Sequence, residues 1–361
     1  MSKRRNFNAA FKQFEKNLRI SDEQNSALTG ARRVVRKHLR QHCPNGLGIK
    51  FLTQGSFAYR TLNRPSQTPP QRMDLDDGAY FATSTDNDPE ALFNLADNAL
   101  QSLVGERRGW RLDASKPSCC RVIISGDMHV DVPLYASMNE TPDNLRAHQE
   151  RYASLYQEAG MFYAHLSGVW LAHRNDGWVK SDPRALIDWV LECKQKYGKQ
   201  YLSVCRYFKA WRDHQWEESH LKSILIMRMV ELALQAEAEI LGNGNDDFVV
   251  MRVTGQMIDL LNNGNITDPT DDLQVLDKDL PSDERASIIE KLKTLHTGME
   301  SALYGDISEG SACELMCLQF GKWFPKDTTP ISVSSKIPTA VAAVAISKPD
   351  RVAAARPWAR K

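Results

Sequence analysis

No sign of charge dominates this sequence: 46 lysines and arginines face 45 aspartates and glutamates, for a formal net charge of +1. Chains that track long nucleic acid usually carry a basic surplus. None is expected here, and the balance suits a small-molecule substrate. Cysteine is sparse. Seven are present, an odd number, and no two form a Cys-x-x-Cys pair. That pattern argues against a zinc ribbon and for reduced thiols in a cytoplasmic protein. No apolar run approaches the ~18 residues of a membrane-crossing helix, so no membrane partner is expected. The basic start Met1-Ser2-Lys3-Arg4-Arg5-Asn6 is followed by no apolar segment of the kind a secretory leader requires. In bulk the chain is ordinary, with 361 residues, 42% hydrophobic and 25% charged. These values exclude a disordered chain, a collagen-like fibre and a small disulfide scaffold. The length predicts about two domains.

Residues 7–42 read as two helices. Phe7, Phe11, Phe14 and Leu18 recur at helical spacing on one face, and Ser21 and Gln24 have the spacing of a capping box. The stretch Ala31 to Arg40 is basic, either a solvated helix face or a wall toward phosphates. Strands are expected at Ile49–Leu52, Met73–Phe81, Arg121–Ile124 and His129–Tyr135, with a helix from Asp88-Pro89 to about Val104. The second half reads as helices over 183–196, 200–216, 220–241, 246–262, 282–304 and 309–324. A loop is expected over 265–281 and a flexible tail over 327–361.

Asp74-Leu75-Asp76 is the most informative stretch. On a strand, residues two apart share a face, roughly 7 Å apart along the chain. Two carboxylates there repel each other, and a divalent cation would compensate. Asp131, between Val130 and Val132, repeats the signal. If its strand lies beside the first, three carboxylates converge as hard oxygen ligands for Mg²⁺ or Mn²⁺. Two such ions would serve an in-line phosphoryl displacement. Asp77 points the other way and reads as a turn or surface residue. Gly55-Ser56, between a strand and a helix, forms a turn whose backbone N–H groups can approach a phosphate.

The order Gly-Ser, Asp-x-Asp, then a third strand Asp resembles the signature of the polymerase-β-like nucleotidyltransferases. The flanking residues resemble the bacterial cGAS/DncV-like nucleotidyltransferases, most closely the DncV-type cyclic GMP–AMP synthases. They are Thr53-Gln54-Gly55-Ser56-Phe57, Tyr59, Thr61 to Pro65, Met73-Asp74, Asp76-Asp77-Gly78, Tyr80, His129, Asp131-Val132-Pro133 and Tyr135-Ala136. Ser181-Asp182-Pro183, Lys209 to Asp213 and Gln215-Trp216 carry the likeness into the helical half, so that it spans about residues 20–325. One departure is Cys120, where glycine is expected.

The resemblance implies an α+β fold: a nucleotidyltransferase core of mixed sheet and helices plus a C-terminal helical bundle, with the active site in the cleft between. The core with N-terminal helices is expected over 1–165, the bundle over 166–326 and the tail over 327–361. Carried over residue by residue, Gln54, Gly55 and Ser56 would hold the donor triphosphate. Asp74, Asp76 and Asp131 would hold two metal ions, Mg²⁺ or Mn²⁺, with Asp131 also the general base. Arg121 would stand near the acceptor nucleotide, Lys209 and Ser223 near the donor phosphates, and Tyr59 in the base pocket. The implied activity is synthesis of a cyclic dinucleotide, 3′,3′-cyclic GMP–AMP, from ATP and GTP, in anti-phage signalling through a separate effector. In some relatives the C-terminus is joined to other proteins by a ubiquitin-like transfer system. Two alternatives are template-independent extension of RNA, which needs a basic groove, and a silent nucleotide-binding module, which predicts a broken carboxylate triad.

Overall fold

The computed structural model describes residues 4–44, 47–137, 169–237, 245–328 and 331–334. The first elements are β1 (Arg4–Asn6), α1 (Asn8–Leu18), α2 (Asp22–His42), β2 (Lys50–Gln54), α3 (Gly55–Ala58), β3 (Met73–Phe81) and α4 (Pro89–Gly105). Then come β4 (Arg111–Asp113), β5 (Cys120–Ile123), β6 (Met128–Val132), β7 (Leu134–Ser137), β8 (Val169–His173) and β9 (Gly177–Lys180). The remainder is α5 (Pro183–Gln215), α6 (Ser223–Ala236), α7 (Asp246–Asn263), β10 (Thr267–Asp268), β11 (Asp271–Val275), α8 (Ser282–Tyr304), α9 (Glu309–Phe320) and β12 (Ser332–Ser334).

Alternation along β3 organises the first unit. Met73, Leu75, Ala79 and Phe81 are buried in one apolar core, where α2 supplies Leu28, Val35 and Leu39 and α4 supplies Phe93 and Leu100. Asp74 and Asp76 therefore fall on the opposite face. Among the described residues the sheet has eight strands, seven in the order β4-β5-β6-β3-β7-β8-β9, with β2 antiparallel to β3. The nine residues of β3 take two parallel partners in succession: β6 along Met73–Asp76 and β7 along Ala79–Phe81. Pro133 separates those partners, at a point where a ladder N–H is not needed. The capping box forms as expected: the Gln24 N–H donates to Ser21 Oγ at 3.2 Å and the Ser21 N–H donates to Gln24 Oε1 at 2.9 Å.

The second unit is helical and has its own core, built from α1 and α5 through α9. The two helices expected over 183–196 and 200–216 are present as the two arms of α5, which is broken at Gly198, where φ 70° and ψ −168° are not helical. Val204, Tyr207, Phe208 and Trp211 are buried in this core. The apolar stripe of α1 packs here rather than on the sheet. Phe11 meets Tyr207 at 5.0 Å and Phe320 at 5.5 Å between ring centroids, and Phe14 stacks on Tyr207 at 5.6 Å.

Of the two N-terminal helices expected with the core over 1–165, α2 packs on the sheet and α1 in the apolar core of the helical unit. The stripe was visible in the sequence, whereas the aromatic partners that receive it lie some 200 to 300 residues away. The expected boundary at 165/166 lies outside the described residues, and β8 and β9 carry the sheet on to Lys180. The loop expected over 265–281 contains the hairpin β10–β11. Within the expected tail, Ser332–Ser334 pairs with Arg4–Asn6, while 335–361 lie outside the described residues. The helix expected over 220–241 ends at Ala236.

Candidate active site

The register of β3 against β6 sets Asp76 beside Asp131 and Asp74 beside His129. The carboxylates of Asp74, Asp76 and Asp131 thereby share one face at the mouth between the sheet and α5. Burial, followed by the neighbouring Asp74 and Asp131, pushes the Asp76 carboxyl well above its ordinary pKa, while Arg121 and Lys209 pull the other way. Like charges held close together raise the proton affinity of the central one, and a divalent cation would relieve that repulsion.

Gly55 closes the site from β2. It sits at φ +65°, and a Cβ there would lie 2.0 Å from Asp76 Oδ2. Only glycine permits both that backbone conformation and that approach. Ser56 follows, its hydroxyl 3.4 Å from Asp74 Oδ1. Gly55→Ala is expected to lower kcat/KM more than about 100-fold while destabilising the fold by only roughly 1–3 kcal/mol. Steady-state kinetics set against the unfolding midpoint checks this.

The cleft has a volume of about 580 Å³ and is lined by nine of the ten expected site residues: Gln54, Gly55, Ser56, Tyr59, Asp74, Asp76, Arg121, Lys209 and Ser223. The tenth, Asp131, is 6% exposed and held by Arg121, whose Nε and Nη2 donate to its two oxygens at 2.7 and 2.6 Å. Arg121 was expected near an acceptor nucleotide. It lines the cleft, but its guanidinium is committed to Asp131. Gln54 donates from Nε2 to the Tyr135 hydroxyl at 2.9 Å, so its side chain is anchored in the cleft wall. Lys209 is no solvated helix lysine. It is 5% exposed, donates to the Thr61 carbonyl at 2.8 Å, and is lowered to about 8 by burial, with Asp74 acting in the opposite direction. Ser223 opens α6 and its Oγ accepts from Arg212 Nη1 at 3.1 Å.

Two residues were given no site role from sequence. His129 is 5% exposed, with its Nε2 3.6 Å from Asp131 Oδ1. Burial lowers its pKa. Its spacing of two from Asp131 is the alternation signal that could have found it. Asp77, expected at a turn or on the surface, is fully buried and paired with Arg36. The period-two pattern gave its direction, but the helix covering that face was not foreseen.

As the side chains stand, no group of three His, Cys, Asp or Glu among the described residues forms a ready metal cluster. Asp131 is turned to Arg121. The donor chemistry nonetheless fits: three carboxylates on one face of the sheet, oxygen only, with Asp74 and Asp131 raising the proton affinity of Asp76, suit Mg²⁺ or Mn²⁺. A larger cavity of about 1050 Å³ lies behind the Gly55 turn, between α1, α2 and α5, and holds none of the ten expected residues.

Comparison with known proteins matches the same two units. Residues 49–135 fit the family model described as cyclic GMP-AMP synthase DncV-like, nucleotidyltransferase domain, and residues 198–333 fit cyclic GMP-AMP synthase, C-terminal domain. The Vibrio cholerae cyclic GMP-AMP synthase is 37% identical over 204 residues, 50% of this chain and 46% of that protein. The chain thus spans about half the length of that relative. The Escherichia coli (strain TW11681) cyclic GMP-AMP synthase is 32% identical over 299 residues, 76% of this chain and 67% of that one. The crystal structure of Vibrio cholerae DncV with the linear intermediate 5′ pppA(3′,5′)pG superposes with a TM-score of 0.77 at 25% identity, over 93% of this chain and 100% of that one. Two family models on the two observed units, and a relative matched over two thirds of its length, lead to one conclusion: the chain belongs to the DncV-like family of nucleotidyltransferases.

Proposed function

We propose that this chain is a cyclic dinucleotide synthase that joins ATP and GTP into 3′,3′-cyclic GMP–AMP, releasing two pyrophosphates. The observation that carries the reading is the register pair Asp76–Asp131 set against a glycine turn that tolerates no side chain. Its near-neutral charge favours nucleotides over a long RNA.

In this reading the donor triphosphate lies along the Gly55–Ser56 turn, whose N–H groups and hydroxyl donate to it. Lys209, fixed by Thr61, adds a positive charge from the helical wall. Tyr59 offers a ring to a base; such stacking is worth about 1–3 kcal/mol. Asp131 takes the proton of the attacking 3′-hydroxyl, and the new O–P bond forms as the bond to pyrophosphate breaks. Asp74, Asp76 and Asp131 would hold two Mg²⁺ or Mn²⁺ ions, which supply Lewis-acid charge neutralisation at the reacting phosphates. A second, equivalent transfer closes the ring. The product acts at a distance on a separate effector in anti-phage defence, so synthase and effector need no contact. Conjugation at the C-terminus by a ubiquitin-like system concerns residues outside those described.

The test is direct. Each labelled NTP, alone and in pairs, is incubated with Mg²⁺ or Mn²⁺ and treated with phosphatase, and the product is identified by mass and nuclease sensitivity. A resistant cyclic product from ATP plus GTP is expected. Extension of an added RNA, or only linear products, would replace this reading. A second expectation follows from Lys209. It carries its charge below about pH 8 and loses it above. Nucleotide affinity should therefore hold up to about pH 8 and weaken as pH rises further. Lys209→Arg, which stays charged, should flatten that decline. Nucleotide Kd measured between pH 6.5 and 9.5, values chosen to bracket the titration, reads it.

A further inference from the structure

The face of the sheet behind the cleft carries a polar cluster inside an otherwise apolar layer. Thr53 stands opposite Asp77 in the β2–β3 register, one step before the pair Gln54–Asp76. Thr53 is 4% exposed and Asp77 0%. The Thr53 hydroxyl donates to Asp77 Oδ1 at 2.9 Å. It accepts from Arg32 Nη1 at 2.8 Å and from Arg36 Nη2 at 3.1 Å. A hydroxyl has one proton and two lone pairs, so this one is fully used. Arg36 also grips Asp77 with both arms of its fork, Nε to Oδ2 at 2.5 Å and Nη2 to Oδ1.

Two strand residues and two residues of α2 are thus bolted together immediately behind the turn. Fold stability alone does not call for this, since an apolar set of the same volume would cover α2 equally well. What the cluster adds is direction and register, because fork geometry and a saturated hydroxyl allow one arrangement. That matters here because the next residue but one is Gly55, whose α-carbon must pass Asp76 Oδ2 with no room for a Cβ.

We propose that Thr53, Asp77 and Arg36 form a positioning device for nucleotide binding. From the rear of the sheet they hold the Gly55–Ser56 turn in register with the Asp76 carboxylate. They touch no substrate. The inference rests on the nucleotidyltransferase reading of the same cleft and goes beyond it by assigning a role to the opposite face of β3.

Thr53→Val removes the hydroxyl and keeps the shape. Two measurements are made on the full chain. Hydrogen exchange of the free protein should show faster exchange over Gly55–Tyr59, with α4 and the helical unit unchanged. Kinetics should show KM for the nucleotides raised about tenfold, with kcat changed less than threefold and the unfolding midpoint nearly preserved. Thr53→Ser, which restores the hydroxyl, should recover most of both. Arg36→Lys, which keeps the charge and loses the fork, should behave like Thr53→Val. Unchanged exchange over Gly55–Tyr59 in Thr53→Val overturns the proposal, whatever the activity. So does a KM that rises equally in Thr53→Ser, because a packing effect would ignore the hydroxyl. A wild-type chain that releases no pyrophosphate from any NTP would instead overturn the nucleotidyltransferase reading, while loosened exchange in the variant would still support the clamp.

Discussion

Asp76→Asn is expected to eliminate pyrophosphate release, with at least about a thousandfold loss in kcat, and to leave the free protein as stable as wild type or more so. The two effects have one cause. The Asp76 carboxyl is pushed well above its ordinary pKa by burial and by Asp74 and Asp131. An acid whose folded pKa is raised binds its proton more tightly folded than unfolded. Above the unfolded pKa, its charge therefore opposes folding. The neutral amide removes that opposition with the same shape, so the unfolding midpoint near neutral pH should hold or rise. The amide also removes a negative ligand where a divalent cation is needed. Loss of several kcal/mol of transition-state charge stabilisation corresponds to roughly 10³ in rate. A further readout separates ligand loss from general damage. Mn²⁺ with nucleotide should raise the unfolding midpoint of wild type and leave that of Asp76→Asn nearly unmoved. Full activity in the variant would remove the basis for the metal assignment.

Asp247→Ala should be the most damaging substitution to the fold, destabilising it by about 3–5 kcal/mol. Asp247 is completely buried at the start of α7, and it accepts from Arg4 at 2.7 Å, from the Phe7 N–H at 2.8 Å and from the Phe248 N–H at 2.7 Å. Arg4 is itself 2% exposed. Alanine would leave a guanidinium out of water without a counter-charge and free the strand that leads into α1. For a unit of this size the thermal midpoint should fall by about 10 °C, measured by circular dichroism or calorimetry. The double substitution Arg4→Met, Asp247→Leu should recover much of the loss, because it removes both charges together. A fall as large in the double variant would mean that lost packing, not the orphaned charge, is responsible.

The candidate catalytic face was legible because it is local. Asp74, Asp76 and Asp131 are placed by strand alternation, Gly55-Ser56 by turn chemistry, and the start of α2 by the spacing of Ser21 and Gln24. Their order along the chain also carried the family likeness. What the sequence hid depends on distant partners. The stripe of α1 could have covered any apolar surface, and Tyr207 and Phe320 receive it through folding of the whole second unit. The β1–β12 pair joins segments more than 300 residues apart with three residues each, too few for a periodic signal. Strands β8 and β9, five and four residues long, carry too little alternation to be read from the sequence alone. Asp77 was misread because the direction of a side chain does not say what waits there. Arg36, 41 residues earlier, does.

Adjacent aspartates on β3 thus meet unrelated surroundings, Asp76 the cleft and Asp77 a buried ion pair with Arg36. Gain or loss of a single residue inside Met73–Phe81 would exchange them, turning the buried ion-pair acid toward the cleft and the cleft-facing acid into the apolar core. An inserted or deleted residue should therefore be tolerated better in the proline-bearing connection before β3, or in the turn after it, than within the strand. The strand itself can drift in composition at its apolar positions but not in count.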